Sequence, residues 1–417
     1  MMKKIPYLFI LALGLLGACN QGSNSATSTD AISLTVKNPA DFARKDVLLK
    51  VDISRIAAKH PGFDGQGFRL TSGADLPFQL NDLDADGAPD EIAFLADLAP
   101  NEEKTVSFVP LGEGESLPEF KKRTQAELSH KTGGKWEDRK YIGGDFQNVQ
   151  SLRVPPEHTD HSFFIRYEGP GWESDKVGYR FYLDWRNATD IFGKKTEDMV
   201  LQRVGLDGFD SYHEPGEWGM DILKVGPSLG IGTPGIWLGD AALRVETTDS
   251  LFCAIPVNGV VESMVRTRYA GWKAGDQKVD LTSELTIGAG SRMTRNDLTL
   301  SAPLPNLCTG LVKLDNAAVL KDDGSRPWGY FATFGNQSLA EDGLGMAILY
   351  RQSDLIQVTE DKNSHVVVLR PDQNQLTYYF LAAWEQEPGG IRTEEAFRQY
   401  LDDTALELGQ PVSVEIN

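Results

Sequence analysis

A mostly β protein, with a small N-terminal β-sandwich followed by a large antiparallel β-sandwich, is the fold class this sequence predicts. Short alternating stretches such as "ISLTV", "DVLLKVDI", "KTVSFVPL", "VGYRFYLDW", "SELTIGAG" and "HVVVLR" recur along the chain, and 41 Gly with 21 Pro punctuate them. No repeat of fixed period joins these stretches, which argues against a propeller or a β-helix.

The chain begins with Lys3 and Lys4, an apolar run from Ile5 to Leu16, and then Leu16-Gly17-Ala18-Cys19. Small residues ahead of a cysteine make this a secretory signal with a lipobox. The run falls short of the ~20 residues that span a bilayer. Residues 1–18 are therefore expected as a lipoprotein signal peptide, Cys19 as the lipidated residue and 19–30, free of large apolar side chains, as a flexible tether. Asn20 after the cysteine favours the outer membrane of a Gram-negative bacterium.

The remaining length exceeds one ordinary core and predicts two domains. A β-sandwich is expected over 31–112 and a linker over 113–135, where "LGEGESLPEFKKRTQAELSHKTGGKW" replaces alternation with Gly, Pro and charge. Residues 136–417 are long enough for two large antiparallel sheets packed face to face. The best amphipathic helix is "TEEAFRQYLDDTALEL", Thr393 to Leu408, with a Thr N-cap and Glu in its first turn.

Lys+Arg 41 against Asp+Glu 60 gives a net charge of −19. That balance disfavours nucleic acid and anionic lipid as partners, leaving the N-terminal lipid as the contact with a membrane. A negatively charged substrate needs a local basic pocket. Beyond Cys19 the cysteines are Cys253 and Cys308, which either pair in the oxidising compartment or lie buried as thiols. No CxxC or HExxH motif is present.

In "DLDADGAPDE", Asp82, Asp84, Asp86 and Asp90 with Gly87 match the alternating carboxylates of a calcium loop, although Ala93 stands where an EF-hand needs Glu. A structural calcium and a plain solvated turn both fit. In "WESDKVGYRFYLDWRNATDIFGKK" the odd positions Val177, Tyr179, Phe181, Leu183 and Trp185 form an apolar face. The even positions Lys176, Arg180, Tyr182, Asp184 and Arg186 form a polar one, expected to meet water, another polar layer or a ligand. Arginine forks suit carboxylate or sulfate. Downstream, "DGFDSYHEPGEWGMDILKVGPSLGIG" gathers Tyr212, His213, Glu214, Glu217, Trp218 and Asp221 in a polar loop where Trp218 can stack on a sugar ring. "EHTDH" places His158 and His161 about Asp160, a weak metal pattern because Pro155 and Pro156 favour a loop.

Through these last stretches the sequence resembles an exported bacterial family of long-unassigned function encoded in polysaccharide-utilisation loci. The positions that carry the resemblance are Glu173, Arg180, Tyr182, Asp184, Asp190, Gly193, Lys194, His213, Trp218, Gly219, Asp221 and Lys224. The resemblance implies carbohydrate work on a galactose-mutarotase-like supersandwich. Elimination beside a uronate is the first chemistry to consider, as a lyase or dehydratase on acidic, uronate-containing or sulfated oligosaccharides. Arg180 and Arg186 would neutralise the carboxylate, His213 or Tyr212 would take the C5 proton, and Tyr182 or Lys195 would protonate the leaving oxygen. Glu173, Asp184, Lys194, Trp218, Asp221 and Lys224 complete the expected substrate contacts, and no cofactor is required. A glycoside hydrolase using two of Glu173, Asp184, Glu214, Glu217 and Asp221 is the main alternative. A glycan binder without catalysis and a sugar epimerase remain further ones.

Overall fold

The computed structural model describes residues 32–209 and 211–417. The signal peptide, Cys19 and the tether expected over 19–30 lie outside the described residues. From Ile32 to Asn417 the chain forms one compact unit. Among the described residues no helix is long and apolar enough to cross a membrane.

Alternation in the first hundred residues produces two facing sheets. One is four-stranded, in the order Phe68–Thr71, Glu103–Pro110, Ser33–Lys37 and Ser413–Ile416; the other is three-stranded, with Arg44–Asp52, Glu91–Leu98 and Phe78–Asn81. Their inward residues, among them Leu34, Val36, Ile92, Phe94, Val106 and Phe108, make a separate core. The strand beside Ser33–Lys37 comes from the far end of the chain, Leu34 pairing with Ile416. The C-terminus therefore belongs to the N-terminal sheet.

The larger sandwich is mostly antiparallel β. Its nine-stranded sheet runs Ser151–Arg153, Ser250–Asn258, Glu262–Ala274, Gln277–Gly288, Met293–Leu300, Gln375–Trp384, Gly343–Arg351, Trp328–Asn336 and Ala317–Lys321. Two five-stranded sheets share its core. One contains Gly219–Asp221, Thr189–Lys194, Val177–Phe181, Gly171–Ser174 and Thr124–Glu127; the other contains Ala241–Arg244, Gly235–Leu238, Leu307–Val312, Ser364–Leu369 and Leu355–Glu360. Trp172, Tyr179 and Ile191 from the first meet Leu285, Leu298, Met346 and Phe380 from the nine-stranded sheet. Buried polar tips find partners across the layers: Trp172 Nε1 donates to Thr294 Oγ1 at 2.9 Å and the Tyr179 hydroxyl to the Arg292 carbonyl at 2.7 Å. The helix Glu394–Gly409 starts where Thr393 accepts from the Ala396 amide, and it lays Phe397, Leu401 and Ala405 on the outer face of the nine-stranded sheet. Cys253 and Cys308 are buried free thiols, and burial pushes the Cys253 thiol up to about 12.

Two segments depart from expectation. Residues expected as linker contribute the strands Thr124–Glu127 and Ser129–Thr132. Apart from Ala126 their buried side chains are polar, including Gln125 and Glu127, so hydrophobic alternation could not announce them. The strand from Val177 ends at Phe181, and the chain turns over 182–188. Val177, Tyr179 and Phe181 face the core as the parity predicts, but Trp185 is 52% exposed.

Gly193 illustrates how closely the layers approach. A Cβ there would lie 2.5 Å from the Trp384 ring and 2.8 Å from Ile222. Gly193→Ala is expected to destabilise the fold by roughly 1–3 kcal/mol through overpacking, read as a lower urea midpoint at unchanged slope.

Candidate functional site

The first five-stranded sheet has a second face, and its register assembles the site. Arg180 sits directly opposite Asp190 on the neighbouring strand, and Phe192 opposite Asp221 on the next. These side chains point away from the main core. Of the surroundings open to this face, the structure gives a polar layer: Arg180 is 2% exposed, and all five residues of its strand are buried. The excursion from 195 to 218 folds back over this face and packs Val200, Leu201, Val204 and Tyr212 against Phe192 and Tyr167.

Beneath that cover Arg180 is a hub. Its Nε and Nη2 donate to Asp190 Oδ2 at 3.1 and 2.8 Å, Nη2 also donates to Asp221 Oδ2, and Nη1 donates to the Tyr212 hydroxyl at 3.0 Å. The Tyr182 hydroxyl donates to the same Asp190 oxygen. Arg186 does not share this hub's face. On the turn after the strand it clasps Asp184 and lies 2.9 Å from Asp160 and 3.0 Å from Glu168. Glu168 Oε2 in turn lies 4.0 Å from Arg180. Five carboxylates, Asp160, Glu168, Asp184, Asp190 and Asp221, thus face two guanidinium groups.

That imbalance sorts the protons. Burial opposes ionisation of Glu168, but Arg180 and Arg186 hold its carboxyl down to about 2. Burial and the neighbouring Asp190 push Asp221 well above the carboxylate range, so Asp221 keeps its proton. Burial raises the Tyr212 hydroxyl to about 12 against the pull of Arg180, and burial raises Tyr182 further.

His213 connects the hub to solvent. Its Nδ1 lies 2.8 Å from the Phe209 carbonyl, which assigns the proton to Nδ1. Its Nε2 is 3.4 Å from Asp221 Oδ2, longer than the ~2.7–3.2 Å of a formed hydrogen bond, so the lone pair is available. Burial and the Arg180 charge lower its pKa. The side chain is 31% exposed. Its ring packs on Phe209 and Tyr212, with centroids 4.6 and 4.5 Å away. These two rings also line a cleft with Lys131, Phe146, His161, Phe163 and Glu168.

Other expected residues lie elsewhere. Glu173 and Lys194 form a sealed ion pair in which Glu173 also accepts from the Val200 and Leu201 amides, anchoring the cover segment. Both side chains are fully buried, so the pair is structural and cannot touch a substrate in this conformation. Lys195 Nζ lies over the Trp384 ring at 5.8 Å. Trp218 is half-buried with its ring edge-on to Phe192, and Lys224 is exposed. In the acidic loop, Asp82, Asp84 and Asp86 bring carboxylate oxygens within 4.8 Å of one another, a spacing that fits a cation. Asp90 instead accepts the Leu83 amide at 2.7 Å. Asp160, His161 and Glu168 also converge. There Arg186 already provides the positive charge, and His158 Nδ1 is taken by Ser162 Oγ at 2.7 Å.

The cleft residues Lys131, Phe146, Phe163 and Phe209 were missed because they are scattered between residues 131 and 209 on separate loops and a hairpin. Asp190 could have been found: a hairpin folded about the polar turn 182–188 sets it opposite Arg180.

Fold and site define a β-sandwich protein whose buried arginine–carboxylate hub holds one histidine at the surface. The chain belongs to the family described as a domain of unknown function, DUF4861, whose model matches residues 36–414. It is 23% identical over 443 residues to "Uncharacterized protein P7" of Formosa agariphila, a likeness spanning 100% of both chains. Among solved structures, an alpha-mannosidase from Enterococcus faecalis V583 is similar with a TM-score of 0.48 and 9% identity, over 93% of this chain and 46% of that one. A protein in glycosyl hydrolase family 38 from Enterococcus faecalis gives 0.44 and 9%, over 93% of this chain and 47% of that one. The chain thus spans less than half the length of either.

One titration tests the loop beside the site. Burial lowers His158 to about 4, and it is neutral in the fold. The unfolded residue takes its proton near pH 6.5, so the unfolded state binds more protons between those values and stability falls as pH falls through that window. The loss is about 3 kcal/mol over the full window. Urea midpoints at pH 7, 5.5 and 4 should show this slope in the native protein and a shallower one in His158→Asn.

Proposed function

We propose that the chain is an exported, lipid-anchored carbohydrate-active enzyme of polysaccharide utilisation that acts on acidic oligosaccharides, uronate-containing or sulfated, by β-elimination as a lyase or dehydratase. The observation that carries this reading is the accessibility of the hub. Asp190, Asp221, Tyr182 and Tyr212 are sealed, and His213 is the member that reaches solvent. A neutral histidine at the edge of an aromatic cleft suits abstraction of a carbon-bound proton. Hydrolysis by paired carboxylates needs two that reach the glycosidic bond.

The roles differ from those the sequence suggested. Arg180 is already compensated by Asp190 and Glu168, and Arg186 by Asp184 and Glu168. Their charge serves the hub, where Arg180 keeps His213 neutral. Lys131 in the cleft, 5.2 Å from the Phe146 ring, is the cation placed to meet a substrate carboxylate, while Phe146, Phe163 and Phe209 offer faces for sugar rings. No cofactor takes part; a calcium ion at Asp82, Asp84 and Asp86 would be structural. The lipid on Cys19 places the enzyme at the outer membrane, and the charge of −19 keeps nucleic acid away.

A second reading, glycoside hydrolysis, draws on Glu214 and Glu217, exposed on the same loop as His213. Incubation with uronate-containing oligosaccharides separates the two: elimination yields new ultraviolet absorbance from a C=C bond, and hydrolysis yields reducing ends without it. His213→Gln is expected to lower the elimination rate by about 10²–10⁴-fold. Because the folded pKa is depressed, the base stays active below the ordinary histidine range, and kcat should fall on acidification only beneath ~6.5.

A further inference from the structure

Elimination across C4 and C5 needs an acid as well as a base, and the expected donors are turned away. Tyr182 is 6% exposed and donates to Asp190. Lys195 lies against Trp384. A different group stands at the cleft. His161 has a 46% exposed side chain, and its Nδ1 lies 2.7 Å from Asp160 Oδ1. The same oxygen is 2.9 Å from Arg186 Nη1, an ion pair by distance without hydrogen-bond geometry.

His161 is held there at a backbone cost. Its φ is +54°, and Phe163, Tyr167 and Glu168 also have positive φ, at 59°, 38° and 70°. Non-glycine residues rarely adopt this region, and a run of them persists only where surrounding contacts impose it. One such contact is the His161 amide donating to Glu168 Oε1 at 3.0 Å. Glu168 in turn is fixed by Arg186. The strained segment therefore places an imidazole at the cleft beside Asp160.

The two histidines share a wall. His161 packs on the Phe209 ring with centroids 4.2 Å apart, and His213 packs on the same ring at 4.6 Å. Both imidazoles thus contact the ring of Phe209, which itself lines the cleft. They differ in surroundings: His213 has its Nδ1 proton on a neutral carbonyl, whereas His161 has Nδ1 beside the Asp160 side chain.

We propose that His161, supported by Asp160, is the general acid of this site, with His213 as the base. The assignment rests on the elimination reading. His213 Nε2 takes the C5 proton, the C5–H electron pair becomes the C4=C5 bond, and the C4–O bond breaks. The leaving oxygen takes the Nε2 proton of His161. Both rings are exposed, so water restores their protons. This also gives a use to a loop that looked, by its i, i+3 histidines, like a weak metal site.

The test compares two substrates that differ only at C4: a uronate-terminated oligosaccharide, which loses an oxygen, and a hexuronate glycoside with fluoride at C4, which departs without full protonation. His161→Gln should lose about 10²–10⁴-fold in kcat on the first and stay within about tenfold on the second. Asp160→Asn should show the same contrast more weakly. His213→Gln should fail on both. Retained fluoride release in His161→Gln also shows that the variant folds. Equal loss on both substrates, or no loss on either, overturns the assignment while leaving elimination standing. Absence of elimination by the native protein on both substrates overturns elimination and the assignment together.

Discussion

The guanidinium of Arg180, buried between Asp190 and Asp221, is the interaction on which the site depends. A charge this deep must be paired and hydrogen-bonded to remain: Asp190 pairs with it, protonated Asp221 accepts a hydrogen bond from it, and removal of Asp190 leaves the cation poorly compensated. The register of two adjacent strands supplies the first carboxylate and a third strand the second. The sheet therefore comes before the chemistry. Once the strands pair, Arg180, Asp190 and Asp221 share one face, and the remaining chain has to cover them.

The cover segment meets that demand and creates the reactive group. From Lys195 to Trp218 the chain crosses the polar face, anchored by Glu173 through the Val200 and Leu201 amides and by Tyr212 through Arg180. His213 follows Tyr212 and comes to rest above Asp221. With five carboxylates around two guanidiniums, a proton stays on Asp221, and the Arg180 charge keeps a second one off His213. The hub thus sets the protonation of a group that is itself partly in water. Perturbed groups gathered at a cleft are a general mark of functional sites.

Much of the fold was legible. Period-two alternation marked the strands, and Thr393 ahead of two glutamates marked the helix. Parity placed Val177, Tyr179 and Phe181 in the core correctly. What the opposite face meets stayed open, because parity states which side chains share a face, not what covers it. The covering residues, from Val200 to Tyr212, lie well downstream of Arg180 in a segment without periodicity, and only tertiary packing brings Leu201 and Tyr212 over Arg180. The strand's end was also hidden, since "FYLDW" continues the alternation while the chain already turns after Phe181. Of the site, His213, Asp221 and Arg180 were named from the sequence and meet in the structure. Lys131 was not assigned because its cleft partners are far away in sequence, and His161 was read only as part of a weak metal pattern because the Phe209 ring that it packs on lies 48 residues downstream.

The account turns on the state of one imidazole. Histidine-labelled protein studied by nuclear magnetic resonance, with His213→Gln to assign the signal, reports both its tautomer and its titration. The account predicts a neutral Nδ1–H form near pH 7 and a midpoint below the ordinary ~6.5 of histidine. A midpoint above that value, or an Nε2–H tautomer at neutral pH, contradicts it: His213 would then hold a proton where the reaction requires a lone pair.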